Sequence, residues 1–346
     1  MGFDACLQEF IQDGNFLTLT TQFKNGIPEP KSFVLANGVS VKLIDTGILQ
    51  IEPTNSSSIS LLISSGIHGN ETAPIEIVQQ MVKDIWSGWL EVKVRLMLII
   101  GNPPSIKIGE RFLSQNLNRL FSGYYKNSES SDYETERAQI IEQAVSEFYN
   151  ESENSNPIRY HFDLHTAIRP SKYKKFVVYP FLDERPWDKN HIAFFGGADI
   201  TTVLLGHQPS GTFSYYTSNQ FRALSATVEL GKVKPFGEND MQDFSGIVNN
   251  MQCLIEDKPP KNLTFNNHSY KVFHVKNEII KVNEDYRLLL DDEVQNFTSL
   301  KKGTVLASDG YQTHSLVEDE GYSIVFPNNN VPIGQRLGVL LEEIDL

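Results

Sequence analysis

The sequence predicts an α/β fold in which helices flank a mixed, largely parallel sheet, followed by a smaller C-terminal all-β domain. Residues 58–65 and 92–101 are short, apolar and β-branched, as buried strands are. Between them, residues 72–86 place their apolar side chains on one helical face. A strand, a helix and a strand in close succession are typical of a βαβ unit and a parallel sheet.

The α/β pattern continues beyond this unit. A polar tract leads into a predicted helix at residues 134–149, and another helix is predicted at residues 241–256. Short apolar segments between these helices have the length and composition of buried strands. These predicted strands are residues 158–165, 175–179, 201–205 and 224–229.

The pattern changes where Pro259 and Pro260 interrupt the chain. We therefore expect a main α/β domain at residues 51–257 and a C-terminal β domain at residues 258–346. Residues 1–50 are expected to form a β-rich segment that packs on the main body. Its predicted strands are residues 16–19 and 40–44, and those of the C-terminal domain are residues 270–275, 278–282, 286–290, 304–307, 322–326 and 336–341.

Composition excludes several classes of function. The formal net charge of -13 repels phosphate, so we expect no nucleic-acid partner and no anionic membrane partner. Two cysteines are too few for a disulfide framework, and no apolar run approaches the roughly 18–20 residues of a membrane-spanning helix. With an N-terminus that lacks the pattern of a signal peptide, these features predict a cytoplasmic protein. The oligomeric state stays open.

A candidate metal site begins in the segment GIHGNE, which follows a predicted strand and precedes a helix. Loops at the carboxyl ends of parallel strands hold the ligand sites of α/β proteins. His68 and Glu71 have His-x-x-Glu spacing, so one turn can bring an imidazole nitrogen and a carboxylate oxygen to one divalent ion. The alternative is a surface histidine beside a helix N-terminal acid that the helix dipole favours.

A third ligand is available in the segment YHFDLH, where His161, Asp163 and His165 share one strand face. The two histidines would lie about 13 Å apart at ~3.3 Å per residue, too far to hold one ion. We expect His165, at the end of the strand, to be the ligand, Asp163 to orient it, and His161 to be structural. Two nitrogens, one carboxylate and an open position are typical of a catalytic zinc site.

Further polar residues accompany these ligands. Glu229 ends a predicted strand, where an acid is costly to bury unless it is paired or functional. It suits a general base beside a metal-activated water, with a structural salt bridge as the alternative. Arg111, Asn118 and Arg119 lie in the loop after the strand at residues 92–101. Arginine suits carboxylate recognition and oxyanion stabilisation, although two loop arginines alone are equally consistent with a solvated surface.

Four segments in this order closely resemble the succinylglutamate desuccinylase and aspartoacylase family, which is related to zinc carboxypeptidases. They are HGNETAPIE, GNPPSIKIGERFLSQNLNRLFSG, HFDLHTAIRPS and TVELGKVKPFGEND. The C-terminal segment FPNNNVPIGQRLGVLL is similar to the family as well, so the resemblance covers nearly the whole chain. It implies a zinc-carboxypeptidase-like main domain that binds one Zn²⁺ per subunit.

The resemblance also implies the metal ligands and the central catalytic residue. His68, Glu71 and His165 match the zinc ligands of the family, and Glu229 matches its catalytic acid/base.

The remaining matches concern the substrate. Arg111 matches the arginine that polarises the scissile carbonyl, and Asn118 and Arg119 match the pair that binds a substrate carboxylate. Asn116 departs from the family, whose members commonly have Asp there, and the lost charge affects a local hydrogen bond rather than the ligands.

The implied reaction is hydrolysis of N-succinyl-L-glutamate, a small anionic substrate, to succinate and L-glutamate in arginine catabolism by the succinyltransferase route. The alternatives are another N-acyl-amino-acid amidohydrolase, a zinc carboxypeptidase, or a zinc-dependent binding protein without turnover. The acid at Glu229 argues against the last. Because this substrate carries three carboxylates, we expect a locally positive site on an acidic protein. Arg169, Lys232 and Lys234 flank the motifs and either contact the succinyl carboxylate or are solvated.

Overall fold

Helices and strands alternate along most of the chain. The computed structural model describes residues 2–128, 131–151, 157–291, 293–311 and 313–346. The helices are α1 (Phe3–Asp13), α2 (Phe16–Gln22), α3 (Thr72–Trp86), α4 (Pro103–Ile108), α5 (Tyr133–Asn150), α6 (Lys189–Gly197), α7 (Phe213–Phe221) and α8 (Ser245–Ile255). Short 3-10 helices lie at Leu117–Arg119, Tyr124–Asn127 and Met241–Phe244.

The strands divide into those of the main part and those of the C-terminal part. The first group is β1 (Lys31–Val34), β2 (Ser40–Asp45), β3 (Ile48–Glu52), β4 (Ile59–Ser65), β5 (Arg95–Ile100), β6 (Ile158–Ala167), β7 (Phe176–Tyr179), β8 (Thr202–Leu205) and β9 (Leu224–Lys232). The second group is β10 (Lys271–Ile280), β11 (Arg287–Leu288), β12 (Thr298–Ser299), β13 (Val305–Ser308), β14 (Thr313–Leu316), β15 (Tyr322–Val325) and β16 (Arg336–Ile344).

One large mixed sheet organises the molecule. Its strand order is β1-β2-β3-β5-β4-β6-β9-β7-β8-β10-β16-β15-β12. The central strands β5, β4, β6 and β9 are mutually parallel, whereas β7 runs antiparallel to β9 and β3 antiparallel to β5. The predicted α/β class, a mixed sheet flanked by helices, is therefore confirmed.

Apolar side chains cover both faces of this sheet. In β4, Leu61 and Ile63 pack in one core with α1, α2, α3, α6 and α8, while Leu62 packs in a second core with α5 and α7. Successive side chains of a strand point to opposite faces, so a strand covered by helices on both sides must be apolar throughout. This is why β5 is almost entirely apolar and β4 has an apolar run at residues 61–63, whereas β6 and β9 also carry the polar residues of the sheet edge.

The N-terminal segment differs from the prediction of a β-rich segment. The strand predicted at residues 16–19 is wrong, because α2 occupies this position and α1 precedes it. Phe16 and Leu19, three residues apart, are both buried, and the ring of Phe16 lies 5.8 Å from that of Phe10 in α1. The apolar run at residues 16–19 fits a helix or a strand equally well. Packing against α1 makes it a helix. The strand predicted at residues 40–44 is present as β2.

The C-terminal part contains strands and no helix within the described residues, as predicted. The two strands predicted at residues 270–275 and 278–282 are one strand, β10, with an irregularity between Val275 and Asn277. A local change of register, rather than a turn, explains the break in the apolar pattern. Because β10 pairs in parallel with β8, the C-terminal strands extend the main sheet, and β11, β13 and β14 form a separate small sheet. The domain boundaries at residues 50 and 257 stay predictions.

None of the described helices has the length and apolar character needed to cross a membrane.

A buried arginine joins α5 to the sheet. Arg137 is 2% exposed and donates to the carbonyl oxygens of Gly101 and Thr46, each at 2.7 Å. It also forms an ion pair with Asp45 at 3.1 Å. Gly101 follows β5 and Thr46 follows β2. One guanidinium therefore accepts the role of donor to two carbonyl oxygens just beyond the strand ends, where the hydrogen bonds of the sheet stop.

We predict that Arg137→Met lowers the free energy of unfolding by about 2–4 kcal/mol, because it leaves two buried carbonyls and the half-buried carboxylate of Asp45 without their donor. Urea denaturation measures this change. Arg287→Met, at an exposed position of β11, is the matched control and should change stability by less than about 0.5 kcal/mol. A loss below 1 kcal/mol for Arg137→Met would contradict this role.

Candidate functional site

Three adjacent parallel strands bring the predicted site residues to one edge of the sheet. His68 and Glu71 follow β4, His165 lies near the end of β6, and Glu229 lies in β9 in register with His165. The chain leaves β4 for β5 on one side and returns to β6 on the other side. The carboxyl edge at such a reversal is where open α/β sheets bind their ligands.

The two histidines and the first acid converge on one point. Nδ1 of His68 lies 2.8 Å from Oε1 of Glu71, and Nδ1 of His165 lies 2.9 Å from Oε2 of Glu71. One ligand atom from each residue lies within 4.8 Å of the others, and all three side chains are buried. Two imidazole nitrogens and a carboxylate suit one divalent metal ion and leave a coordination position open.

The far side of each imidazole is held by a second polar side chain. Nε2 of His68 lies 2.9 Å from Oδ1 of Asn116, and Nε2 of His165 lies 3.0 Å from Oδ2 of Asp163. Because both partners are oxygen acceptors, they suit the tautomer that carries its proton on Nε2, which leaves Nδ1 of each ring for a metal ion. Such outer hydrogen bonds fix the tautomer and orientation of a metal-binding histidine. Asn116 therefore supplies the acceptor that Asp would supply, without its charge.

The electrostatics of the donor set are compatible with a bound cation. Burial lowers the pKa of His68 to about 4, so the ring is neutral at pH 7. In the tautomer that carries the proton on Nε2, the Nδ1 lone pair faces a carboxylate oxygen of Glu71 at 2.8 Å. Two acceptors at this separation repel each other unless a positive charge lies between them. A divalent ion held by these atoms removes the conflict.

Glu71 also contacts groups outside the three ligands. Its Oε1 accepts a hydrogen bond from Nη1 of Arg111 at 2.6 Å, and its Oε2 accepts one from the backbone N–H of Thr166 at 2.9 Å. Burial alone would raise the pKa of Glu71, but His68 and His165 outweigh it and hold the pKa well below its usual range. Glu71 is therefore an anion with fixed orientation.

The second acid of the site is in a different state. Burial raises the pKa of Glu229 to about 7, and the negative charges of Glu71 and Asp163 act in the same direction. Among the described residues its buried Oε2 has no hydrogen-bond partner. An acid with a pKa near the working pH and a free oxygen can both take up and release a proton.

Close backbone packing positions the loop that carries the arginines. The N–H of Gly69 donates to the carbonyl of Arg111 at 3.1 Å, and a Cβ at Gly69 would collide with the backbone of Ser105. On the other side, a Cβ at Gly211 would collide with the carbonyl of Arg119. Glycine at these two positions lets the chain approach closely enough to fix both arginines at the edge of the sheet.

Asn118 and Arg119 lie beside the histidines. Nδ2 of Asn118 is 3.4 Å from Nε2 of His165, and its Oδ1 accepts from the N–H of Phe213 at 2.8 Å. Nη1 of Arg119 donates to the carbonyl of Asn118 at 2.7 Å. The structure therefore brings every predicted site residue to one region, and the catalytic and substrate roles remain predictions.

The sequence indicated only part of the polar network beneath the site. Oγ of Ser64 donates to Oδ1 of Asp163 at 2.6 Å and lies 2.9 Å from Nε2 of His161, whose Nδ1 lies 2.8 Å from Oγ1 of Thr217. His161 thus supports Asp163 rather than the donor set, as its expected structural role requires. The alternating polar residues of β6 were visible in the sequence and pointed to part of this network. No sequence pattern marked Ser64 or Thr217 as members of it.

The fold and the site together define an α/β protein whose sheet edge carries a donor set for one divalent metal ion. The sequence pattern of the succinylglutamate desuccinylase/aspartoacylase catalytic domain matches residues 57–255. The pattern of the AstE/AspA barrel-sandwich hybrid domain matches residues 268–344.

Individual proteins agree with these matches. The chain is 45% identical over 328 residues to succinylglutamate desuccinylase of Pseudoalteromonas atlantica, covering 94% of this chain and 93% of that one. The solved structure of the Vibrio parahaemolyticus enzyme of that name has a TM-score of 0.85 and 36% identity, covering 95% of each chain. The chain belongs to the succinylglutamate desuccinylase/aspartoacylase family.

We predict that His165→Ala weakens the affinity for a divalent metal ion by more than about 100-fold, since a lost ligand exceeds the roughly 10- to 100-fold cost of a lost outer partner. Metal content after dialysis, measured by mass spectrometry, tests this. His268→Ala removes an exposed histidine and should retain the wild-type content. Equal metal content in both variants would contradict the assignment of His165.

Proposed function

We propose that the chain is a zinc-dependent amidohydrolase that cleaves N-succinyl-L-glutamate to succinate and L-glutamate, in arginine catabolism by the succinyltransferase route. The observation that carries this proposal is the juxtaposition of Glu229 with the donor set, because Glu229 is in register with His165 and has a pKa of about 7. A site that only binds a metal does not need this acid. The names of the similar proteins support the choice of substrate.

His68, Glu71 and His165 are the residues that would hold the ion, one Zn²⁺ per chain. Bound Zn²⁺ supplies Lewis acidity, which lowers the pKa of a water molecule and polarises a carbonyl oxygen. Glu229 takes a proton from the attacking water at its unpartnered Oε2 and then delivers it to the leaving nitrogen. A pKa near 7 serves both steps, because the side chain exchanges a proton readily at that pH.

The loop arginines supply positive charge for the substrate. Arg111 is partly exposed and contacts Glu71 through one nitrogen, so its other N–H groups are free to stabilise the negative oxygen of the tetrahedral intermediate. Asn118 and Arg119 bind a substrate carboxylate. This local excess of positive charge allows a small anionic substrate to bind a protein of net charge -13.

We predict that Glu229→Gln lowers kcat by roughly 100- to 10,000-fold while the metal content stays unchanged, because an amide cannot transfer the proton. Steady-state kinetics and metal analysis measure the two quantities. Glu238→Gln makes the same chemical change at an exposed position and should retain wild-type kcat. Most of the activity surviving in Glu229→Gln would rule out the acid/base role.

The substrate is tested by comparing N-succinyl-L-glutamate with N-acetyl-L-aspartate and with a peptide that has a free C-terminus. We expect kcat/KM for N-succinyl-L-glutamate to exceed the other two by at least about 100-fold, since a buried carboxylate-binding group left unpaired costs a few kcal/mol. A preference for N-acetyl-L-aspartate or for the peptide would identify another amidohydrolase or a carboxypeptidase. Metal binding without any turnover would instead indicate a binding protein.

A further inference from the structure

The loop segment at residues 112–115 joins two residues that contact the donor set. Arg111 precedes it and donates to Oε1 of Glu71 at 2.6 Å. Asn116 follows it, and its Oδ1 lies 2.9 Å from Nε2 of His68. Within the part of the chain that the structure describes, residues 112–115 form no hydrogen bond with another backbone group. Side chains must therefore fix the course of this segment beside the site.

A buried carboxylate supplies the missing partners. Glu134 lies in the first turn of α5 and is 0% exposed. Its Oε1 accepts a hydrogen bond from the N–H of Leu113 at 2.6 Å, and its Oε2 accepts one from the N–H of Ser114 at 3.3 Å. These donors suit the ionised carboxylate, and hydrogen bonds to an ionised acceptor are roughly twice as strong as those between neutral groups. One side chain thus holds two consecutive peptide groups that lie outside any helix or strand.

The acid that caps α5 holds the side chains of the same segment. Asp132 is the N-cap of the helix, and its Oδ2 accepts from Nε2 of Gln115 at 2.7 Å. The hydroxyl of Ser114 lies 2.5 Å from this oxygen and 2.9 Å from Oε2 of Glu134, so it donates to either acid. The positive end of the helix dipole favours carboxylates at both positions. We call Asp132 and Glu134 the α5 clamp.

The α5 clamp is anchored to the sheet. Nδ2 of Asn102, which follows β5, donates to Oε1 of Glu134 at 3.2 Å. The N–H of Asn102 donates in turn to the carbonyl of Gly66 at 2.8 Å, just before His68. Arg137, one turn along the helix from Glu134, donates to the carbonyls at two strand ends. Since α5 is held from the side of the sheet, the position of Glu134 determines the course of the loop.

The site residues after the segment have supports of their own. Oδ1 of Asn118 accepts from the first N–H of α7 at 2.8 Å, and the carbonyl of Arg119 packs so closely on Gly211 that a Cβ there would collide with it. The carbonyl of Arg111 accepts one hydrogen bond, from Gly69 at 3.1 Å, and the chain then enters the clamped segment. Loosening residues 112–115 should therefore displace Arg111 while Asn118 and Arg119 keep their places.

We propose that Glu134 is a positioning residue that acts through Arg111. By holding residues 112–115 against α5, it keeps the guanidinium of Arg111 beside Glu71, where this group stabilises the negative oxygen of the tetrahedral intermediate. Glu134 itself does not touch the substrate. The kinetic consequence rests on the proposed function, whereas the hold of Glu134 on the loop is a property of the chain alone.

The kinetic test uses the full chain loaded with Zn²⁺ and N-succinyl-L-glutamate as substrate. Glu134→Gln keeps the shape of the side chain but removes its charge and turns one acceptor into a donor. We expect kcat to fall by about 10- to 100-fold, because the lost hydrogen bonds to a charged group misplace Arg111. KM and metal content should stay near the wild-type values, because Asn118, Arg119 and the ligands keep their supports. Glu136→Gln makes the same change at an exposed position of the same helical turn and should retain wild-type kcat.

A double-mutant cycle tests whether Glu134 acts through Arg111. Arg111→Met removes the guanidinium, so adding Glu134→Gln to this variant should cause little further loss of kcat. Two losses that multiply would mean that Glu134 supports the fold in general. Ser114→Ala removes the hydroxyl between the two acids at an exposed position and should give a smaller loss that is again confined to kcat. This variant takes the place of Glu134→Gln in the cycle if Glu134→Gln does not fold.

Hydrogen–deuterium exchange tests the hold on the loop without any turnover. In Glu134→Gln, the amides of Leu113 and Ser114 should exchange at least about 10-fold faster than in the wild-type chain, because their acceptor is weakened. The amides of β4 and α3 should exchange at the wild-type rate. The measurement is made on the metal-free and on the Zn²⁺-loaded chain, with Glu136→Gln as the control.

Three results would overturn the inference while the proposed function stands. They are unchanged exchange at Leu113 and Ser114, faster exchange with wild-type kcat, and a loss of activity that lies in KM alone. If the wild-type chain does not hydrolyse N-succinyl-L-glutamate, the proposed function itself fails. Exchange at these two amides then decides alone whether Glu134 holds the loop beside the donor set.

Discussion

The structure of the site depends on one buried carboxylate. Glu71 contacts Nδ1 of both His68 and His165, and it accepts hydrogen bonds from Arg111 and from the backbone of Thr166. These groups come from the end of β4, the end of β6 and the loop after α4. A single anion therefore fixes the relative positions of three chain segments, and the strong field of these partners outweighs its desolvation cost.

The two acids of the site show how the environment sets chemical role. Glu71 is surrounded by donors and stays ionised, whereas Glu229 has an oxygen without a partner and its pKa is raised to about 7. Two carboxylates near each other with pKa values driven apart are a recurring arrangement in enzymes, one serving as a fixed ligand or electrostatic group and the other transferring protons.

Sequence patterns predicted the structures that depend on neighbouring residues. They failed for structures that depend on packing between segments distant in the sequence. The periodicity of residues 72–86 gave α3 with its observed ends, and the spacing of His68, Glu71 and His165 identified residues that converge. The helix α2 was missed because its four-residue apolar run has no period of its own, and the short helices α4, α6 and α7 were not predicted.

The unbroken sheet has a consequence for how the protein tolerates cleavage. Since β10 pairs with β8, a chain ending near residue 258 would expose the N–H and C=O groups along one edge of β8. Exposed edges of this kind recruit strands from other molecules and promote aggregation. A protease that removed the C-terminal part would therefore leave an unpaired edge on β8, which favours aggregation of the remaining chain.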